Sequence, residues 1–121
     1  MSVTFAQGFS AAGVEAGISA TPGKKDVALV VNEGPLTAAA GVFTTNRFCA
    51  APVQWSRKAV ADGSLKAVIL NSGGANACTG EAGYAQSVAT AHEVAGLLGT
   101  EDGEVAVCST CLLYTSPSPR D

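Results

Sequence analysis

Aromatic side chains are scarce in this 121-residue sequence, at 6%, and charged ones make up only 14%. With apolar residues at 47%, the chain is nonetheless not a disordered segment. It can bury enough aliphatic surface to offset the entropy lost on folding. Basic residues are the next shortage: seven Lys and Arg stand against ten Asp and Glu, a net charge of −3. Apart from Lys24-Lys25 they are scattered, so no stripe could neutralise successive phosphates, and nucleic acid is excluded as an expected partner. Long apolar runs are absent too, which excludes a helical membrane span. The opening "MSVTFAQGFSAAG" lacks the basic segment and continuous apolar stretch of a secretion signal. The expectation is a cytoplasmic protein with reduced thiols, its four cysteines acting as small buried hydrophobes.

What is present is a set of short apolar runs bounded by turn residues. "DVALVV" (Asp26–Val31) and "KAVILN" (Lys66–Asn71) read as strands covered on both faces. "AGVFTTN" (Ala40–Asn46) is β-branched and aromatic and reads as a third strand. "EVAVCST" (Glu104–Thr110) reads as a fourth, after the turn Glu101–Gly103. The best helix runs from about Glu81 to Leu98, with Tyr84, Val88, Ala91, Ala95 and Leu98 on one face. Thr79 or Gly80 suits its start and Gly99 its end. His92 falls off the apolar face and reads as a solvated surface histidine. A weaker helix is expected around Ser56–Ala61. Strands interleaved with helices predict α/β or α+β layers.

Two stretches raise chemical questions. Cys108-Ser109-Thr110-Cys111 is a C-x-x-C, a spacing used by redox pairs and zinc sites. A zinc site needs a second close pair or histidines at ligand spacing, but Cys49 and Cys78 are isolated and the chain has a single His. The character of the sequence also changes after Thr110. Cys111–Asp121, "CLLYTSPSPRD", matches an in-frame read-through of a common transposase-based sequencing adapter, so it is set apart from residues 1–110 as non-native. The second stretch is "NSGGANACTGEAG" (Asn71–Gly83), a glycine-rich turn between the strongest strand and the best helix. Such turns can point backbone N–H groups at an anion or oxyanion. Equally, it can be a tight turn that packs helix on sheet. It is neither a Walker A loop nor G-x-G-x-x-G.

Four blocks together resemble one family. "GFSAAGVEAGI" (Gly8–Ile18), "AGVFTTNRFCAAPV" (Ala40–Val53), "NSGGANACTG" (Asn71–Gly80) and "VCST" (Val107–Thr110) are similar, in order, to the amino-terminal part of ornithine acetyltransferase, the glutamate N-acetyltransferase of arginine biosynthesis. The resemblance implies a self-processing, amino-terminal-nucleophile-like α/β fold, of which this piece is incomplete. It implies acetyl transfer from N-acetylornithine to glutamate through an acetyl-threonine, with acetyl-CoA as a possible co-substrate and no metal or redox cofactor. It implies a precursor cut into α and β chains that assemble as a hetero-tetramer, two of each. Only one catalytic position is carried over: Thr110, as an oxyanion-stabilising donor. The family's following glycine is replaced by Cys111, and no nucleophile or substrate-contacting residue is reached. The chain alone is therefore expected to be inactive and poorly soluble, with uncovered strand edges and apolar surface. The alternative is a non-enzymatic anion-binding module built on the Asn71–Gly80 turn. Another self-processing enzyme, such as an aminopeptidase, accounts less well for the Asn-rich motif.

Overall fold

Strand β1 (Phe9–Val14) pairs antiparallel with β2 (Val27–Asn32), β2 antiparallel with β3 (Ala67–Ser72), and β3 parallel with β4 (Val105–Thr110). The result is one four-stranded sheet in the order β1-β2-β3-β4, in a computed structural model that describes residues 2–110. Cys111–Asp121, assigned above to an adapter, lie outside the described residues. The parallel pair requires a crossover, and helix α2 (Gly80–Leu98) supplies it. Helix α1 (Ala51–Ala59) lies in the connection from β2 to β3. The two helices pack on each other and both contact β4, so the α/β expectation holds.

Strand alternation decides what is buried. Leu29, Ile69 and Val107 lie side by side across β2, β3 and β4, as do Val31, Ala67 and Val105. This face meets Ala91, Val94 and Ala95 of α2, with Trp55 of α1 packed at its margin. The intervening residues point the other way. There Val30, Val68 and Leu70 stay partly exposed and Cys108 is exposed, although Ala106 is buried. The expectation of strands covered on both faces is thus corrected: among the described residues the helices cover one face.

Helix α1 also seals the outer edge of β4. The Ser56 hydroxyl donates to the Val107 carbonyl at 2.8 Å and accepts the Val107 amide at 2.9 Å. The Trp55 indole donates to the Val105 carbonyl at 2.9 Å. Side chains of a helix thereby do what a fifth strand would do for the exposed edge. The helix starts well before the expected Ser56 because Pro52 sits in its first turn, where a missing N–H costs nothing. Arg57 and Lys58 lie in its last turn, favourable to the helix dipole.

Helix α2 closely follows its expected bounds, with Gly99 at φ +67° as a left-handed cap whose amide reaches the Ala95 carbonyl. Its buried line differs from the expected one. Gly83, Ser87, Ala91, Val94 and Ala95 face inward, while Tyr84 and Val88 are half-buried. Close approach to the sheet selects small side chains over large ones. His92 is exposed, as expected, and pairs with the Asp102 carboxylate at 3.0 Å.

Two further expectations are overturned, and one strand goes beyond them. Residues 40–46 form no strand: nearby there is only an isolated bridge between Ala38 and Ser64, and Val42 is fully exposed. A strand needs a bonded neighbour, and this segment is instead tethered to α1, with the Arg57 guanidinium 5.3 Å over the Phe43 ring. Phe9–Val14, by contrast, is a strand that went unassigned in the sequence. Finally, the cysteines among the described residues are not core residues, since Cys78 and Cys108 are exposed and Cys49 is only half-buried.

Candidate active site

Thr110 ends β4 beside Ser72, the last residue of β3. The chain then leaves β3 through Gly73, whose amide donates to the Thr110 carbonyl at 3.2 Å. The two sequence stretches that suggested chemistry, the Asn71–Gly80 turn and the "CST" strand end, are therefore one structural unit.

Ser109 is the hub of that unit and was missed in the sequence. Its hydroxyl donates to Asn71 Oδ1 at 2.6 Å, with the Gly74 carbonyl a second acceptor at 3.1 Å, and it accepts the Asn76 amide at 3.3 Å. One hydroxyl proton serves one acceptor at a time, and the shorter bond to Asn71 is the stronger. Asn76 continues the network. Its side-chain NH2 donates to the Gly83 carbonyl at 2.8 Å and to Ser87 Oγ at 3.2 Å, and its Oδ1 accepts the Thr79 hydroxyl. Thr79 is thus the N-cap residue of α2 by position, but its hydroxyl makes no capping bond. A Cβ on Gly83 would run into Thr79 Oγ1 and Asn76 Oδ1, so only glycine fits there. The turn's polar side chains are spent internally, as a tight structural turn requires. That weighs against the turn as a free-standing anion cradle.

The other side of the turn is held by Asp26, at 3% exposure. Its carboxylate accepts the backbone amides of Ala16 at 2.7 Å, Ile18 at 2.6 Å and Ser19 at 2.8 Å. The bonds from Ser19 and then Ala16 hold this carboxyl below its ordinary range, outweighing the opposing effect of desolvation. Ile18 and Ser19 in turn lie against Gly73, which takes φ +121°. A side chain there would sit 2.7 Å from the Ser19 nitrogen and 2.8 Å from the Ile18 carbonyl carbon.

Successive strand residues face opposite ways, and this separates Ser109 from Thr110. Ser109, Asn71 and Asn76 line a cleft of about 710 Å³ between α2 and the helix-covered face, together with Ile18, Thr90 and Glu93. Exposed Thr110 shares the uncovered face with Cys108. Desolvation pushes the Cys108 thiol up, the opposite of an activated thiolate. Its sequence partner Cys111 lies outside the described residues. Among the described residues no group of three or more His, Cys, Asp or Glu side chains could hold a metal ion, and no helix is long and apolar enough to cross a membrane.

The same fold occurs in proteins of known structure. The chain has a TM-score of 0.85 to ornithine acetyltransferase from Mycobacterium tuberculosis in complex with ornithine, at 58% identity, covering 90% of this chain and 58% of that one. It has a TM-score of 0.85 to the arginine biosynthesis bifunctional protein ArgJ of Bacillus halodurans, at 35% identity, covering 97% and 61%. The curated ArgJ protein of Bifidobacterium longum is 82% identical over 113 residues, which is 93% of this chain. The chain spans 29% of that relative's length. The ArgJ family model matches residues 10–116. The chain belongs to the ArgJ family.

Proposed function

We propose that residues 1–110 are the amino-terminal part of the α chain of a glutamate N-acetyltransferase that moves an acetyl group from N-acetylornithine to glutamate. On this reading a threonine freed by self-cleavage is the nucleophile, its own α-amine acting as general base. The hydroxyl oxygen attacks the acetyl carbonyl, the carbonyl oxygen becomes an oxyanion, and ornithine leaves as the acetyl-threonine forms. Glutamate's amine then attacks that ester and carries the acetyl group away. Thr110 supplies a donor to the oxyanion, where charge develops in each transition state. Acetyl-CoA is a possible alternative acetyl donor. The partner is the β chain of the same precursor, in a cytoplasmic hetero-tetramer, and the reaction needs no metal. Cys111–Asp121 are proposed to be adapter-encoded, in place of the residues that continue from Thr110 in the gene.

The observation that supports this best is the Gly73 amide bound to the Thr110 carbonyl, with Ser109 tied to Asn71 and Asn76 beside it. It restrains the strand end that carries Thr110, as a preorganised oxyanion donor requires. The resemblance carries no nucleophile onto this sequence, so the purified 121-residue chain should release no ornithine from N-acetylornithine and glutamate. Detectable turnover would refute that. The positive test is a chimera in which residues 1–110 replace the matching segment of the Bifidobacterium longum relative. It should transfer acetyl groups, and Thr110→Val in it should lower kcat about 10²–10³-fold, roughly 3–4 kcal/mol. A folded but inactive chimera, or an undiminished Thr110→Val variant, would overturn the reading.

A further inference from the structure

We propose that Asp26 is a positioning residue for Thr110, acting through the loop of residues 16–19 and Gly73. The inference rests on the role proposed for Thr110 and extends it to a residue about eighty positions away in sequence.

The chain of contacts is continuous. The Asp26 carboxylate gathers three amides, from Ala16, Ile18 and Ser19, and so fixes a loop that has no regular strand or helix of its own. That loop is pressed against the backbone of Gly73, closely enough that no Cβ fits between Gly73 and Ser19. Asp26 also holds the near end of the turn directly, because its carbonyl accepts the Ser72 amide at 2.8 Å. Gly73 is thus gripped from both sides at a left-handed φ that favours glycine. Its own amide points to the Thr110 carbonyl. Holding that carbonyl restrains the Cα of Thr110, from which its hydroxyl, the proposed donor, projects. An oxyanion donor is sensitive to such placement, and a displacement of about 1 Å can cost about 10²-fold in rate.

A carboxylate is the side chain suited to this task. It presents two oxygens and several lone pairs to amides that converge from one side, and it donates nothing that would compete. The isosteric amide in Asp26→Asn keeps one acceptor and turns an NH2 toward either the Ala16 amide or the Ile18 and Ser19 amides. The loop would then be pushed off Gly73 while the strand pairing of β1 and β2 stays intact.

The test uses the active chimera with Asp26→Asn, Gly73→Ala and the double variant, and kcat is expressed per active site titrated by its acetyl burst. Each single substitution should lower kcat by about 10- to 100-fold with KM for N-acetylornithine little changed, because the lost interaction exists only in the transition state. The double variant should be no slower than the worse single one, since both act through one contact. Unchanged kcat per titrated site overturns the inference. So do losses that multiply in the double variant. If neither single variant gives folded protein, the inference also fails, because the two residues then serve stability and not placement. An inactive unsubstituted chimera would instead condemn the proposed function itself, so the two failures are distinguishable.

Discussion

Ser56 and Val107 are bonded twice, the hydroxyl donating to the carbonyl and accepting the amide of the same buried residue. Few single side chains satisfy both polar groups of a strand residue. Ser56→Ala leaves a buried N–H and a buried C=O without partners. It should destabilise the chimera by about 1–3 kcal/mol, read as a lower urea midpoint at unchanged slope. An unmoved midpoint would mean that water reaches this edge.

Gly83 should behave contrary to the usual rule for helices. Replacing an interior helical glycine by alanine ordinarily stabilises by about 1 kcal/mol. Here the new methyl would meet Thr79 Oγ1 and Asn76 Oδ1, so Gly83→Ala should destabilise by about 1–3 kcal/mol, as overpacking does. Thermal unfolding of the chimera gives the sign directly, and a raised midpoint would show that the turn relaxes freely.

Asp26 also predicts a pH dependence. Its folded carboxyl titrates below the ordinary carboxylate range because Ser19 and Ala16 donate to the charged form. A group depressed on folding binds fewer protons in the folded state. Its stabilisation is present above the unfolded value and is lost as pH falls from there through the folded one. Melting temperature should therefore fall on acidification below about pH 4, and fall less steeply in Asp26→Asn. Some dependence should persist in that variant, because Glu104 is lowered as well, by the Thr100 hydroxyl and the Glu101 amide. Identical pH profiles for the two proteins would rule out Asp26 as a source.

Cys108 should be a sluggish nucleophile despite its exposure. Its raised thiol pKa leaves little thiolate at neutral pH. Alkylation by iodoacetamide at pH 7 should be slower than for free cysteine, and Cys108→Ser should leave acetyl transfer unchanged. Fast labelling coupled to loss of activity would reinstate a thiol role for this strand end.

The parts legible in the sequence were those whose signal is local. β2, β3 and β4 announced themselves as short aliphatic runs, and α2 by its period and its Gly99 stop. The turn between β3 and α2 was marked by adjacent glycines and asparagines. Phe9–Val14 was not legible, because "FSAAGV" is built of small residues and owes its extended form to pairing with β2. Residues 40–46 failed in the opposite sense: they carry strand-forming side chains but find no strand to pair with. Ser56 and Ser109 act across long separations, on Val107 and on Asn71, and Asp26 reaches back across an irregular loop to Ile18 and Ser19. Composition and periodicity do not register such contacts. The strand period was the one clue available for Ser109, since it placed that residue on the same face as Val105 and Val107.

That period has a consequence for how this segment tolerates change in length. Ser109 braces the turn from one side of the sheet while Thr110 presents itself on the other, with a single peptide bond between them. Losing or gaining one residue between Val105 and Ser109 would swap their sides, putting a bracing hydroxyl where the proposed donor belongs and Thr110 inside the packed layer. The turn ahead of Val105 can absorb such a change. Insertions and deletions should thus be accepted around Thr100–Gly103 and rejected within Val105–Thr110, a boundary that substitutions alone would not reveal.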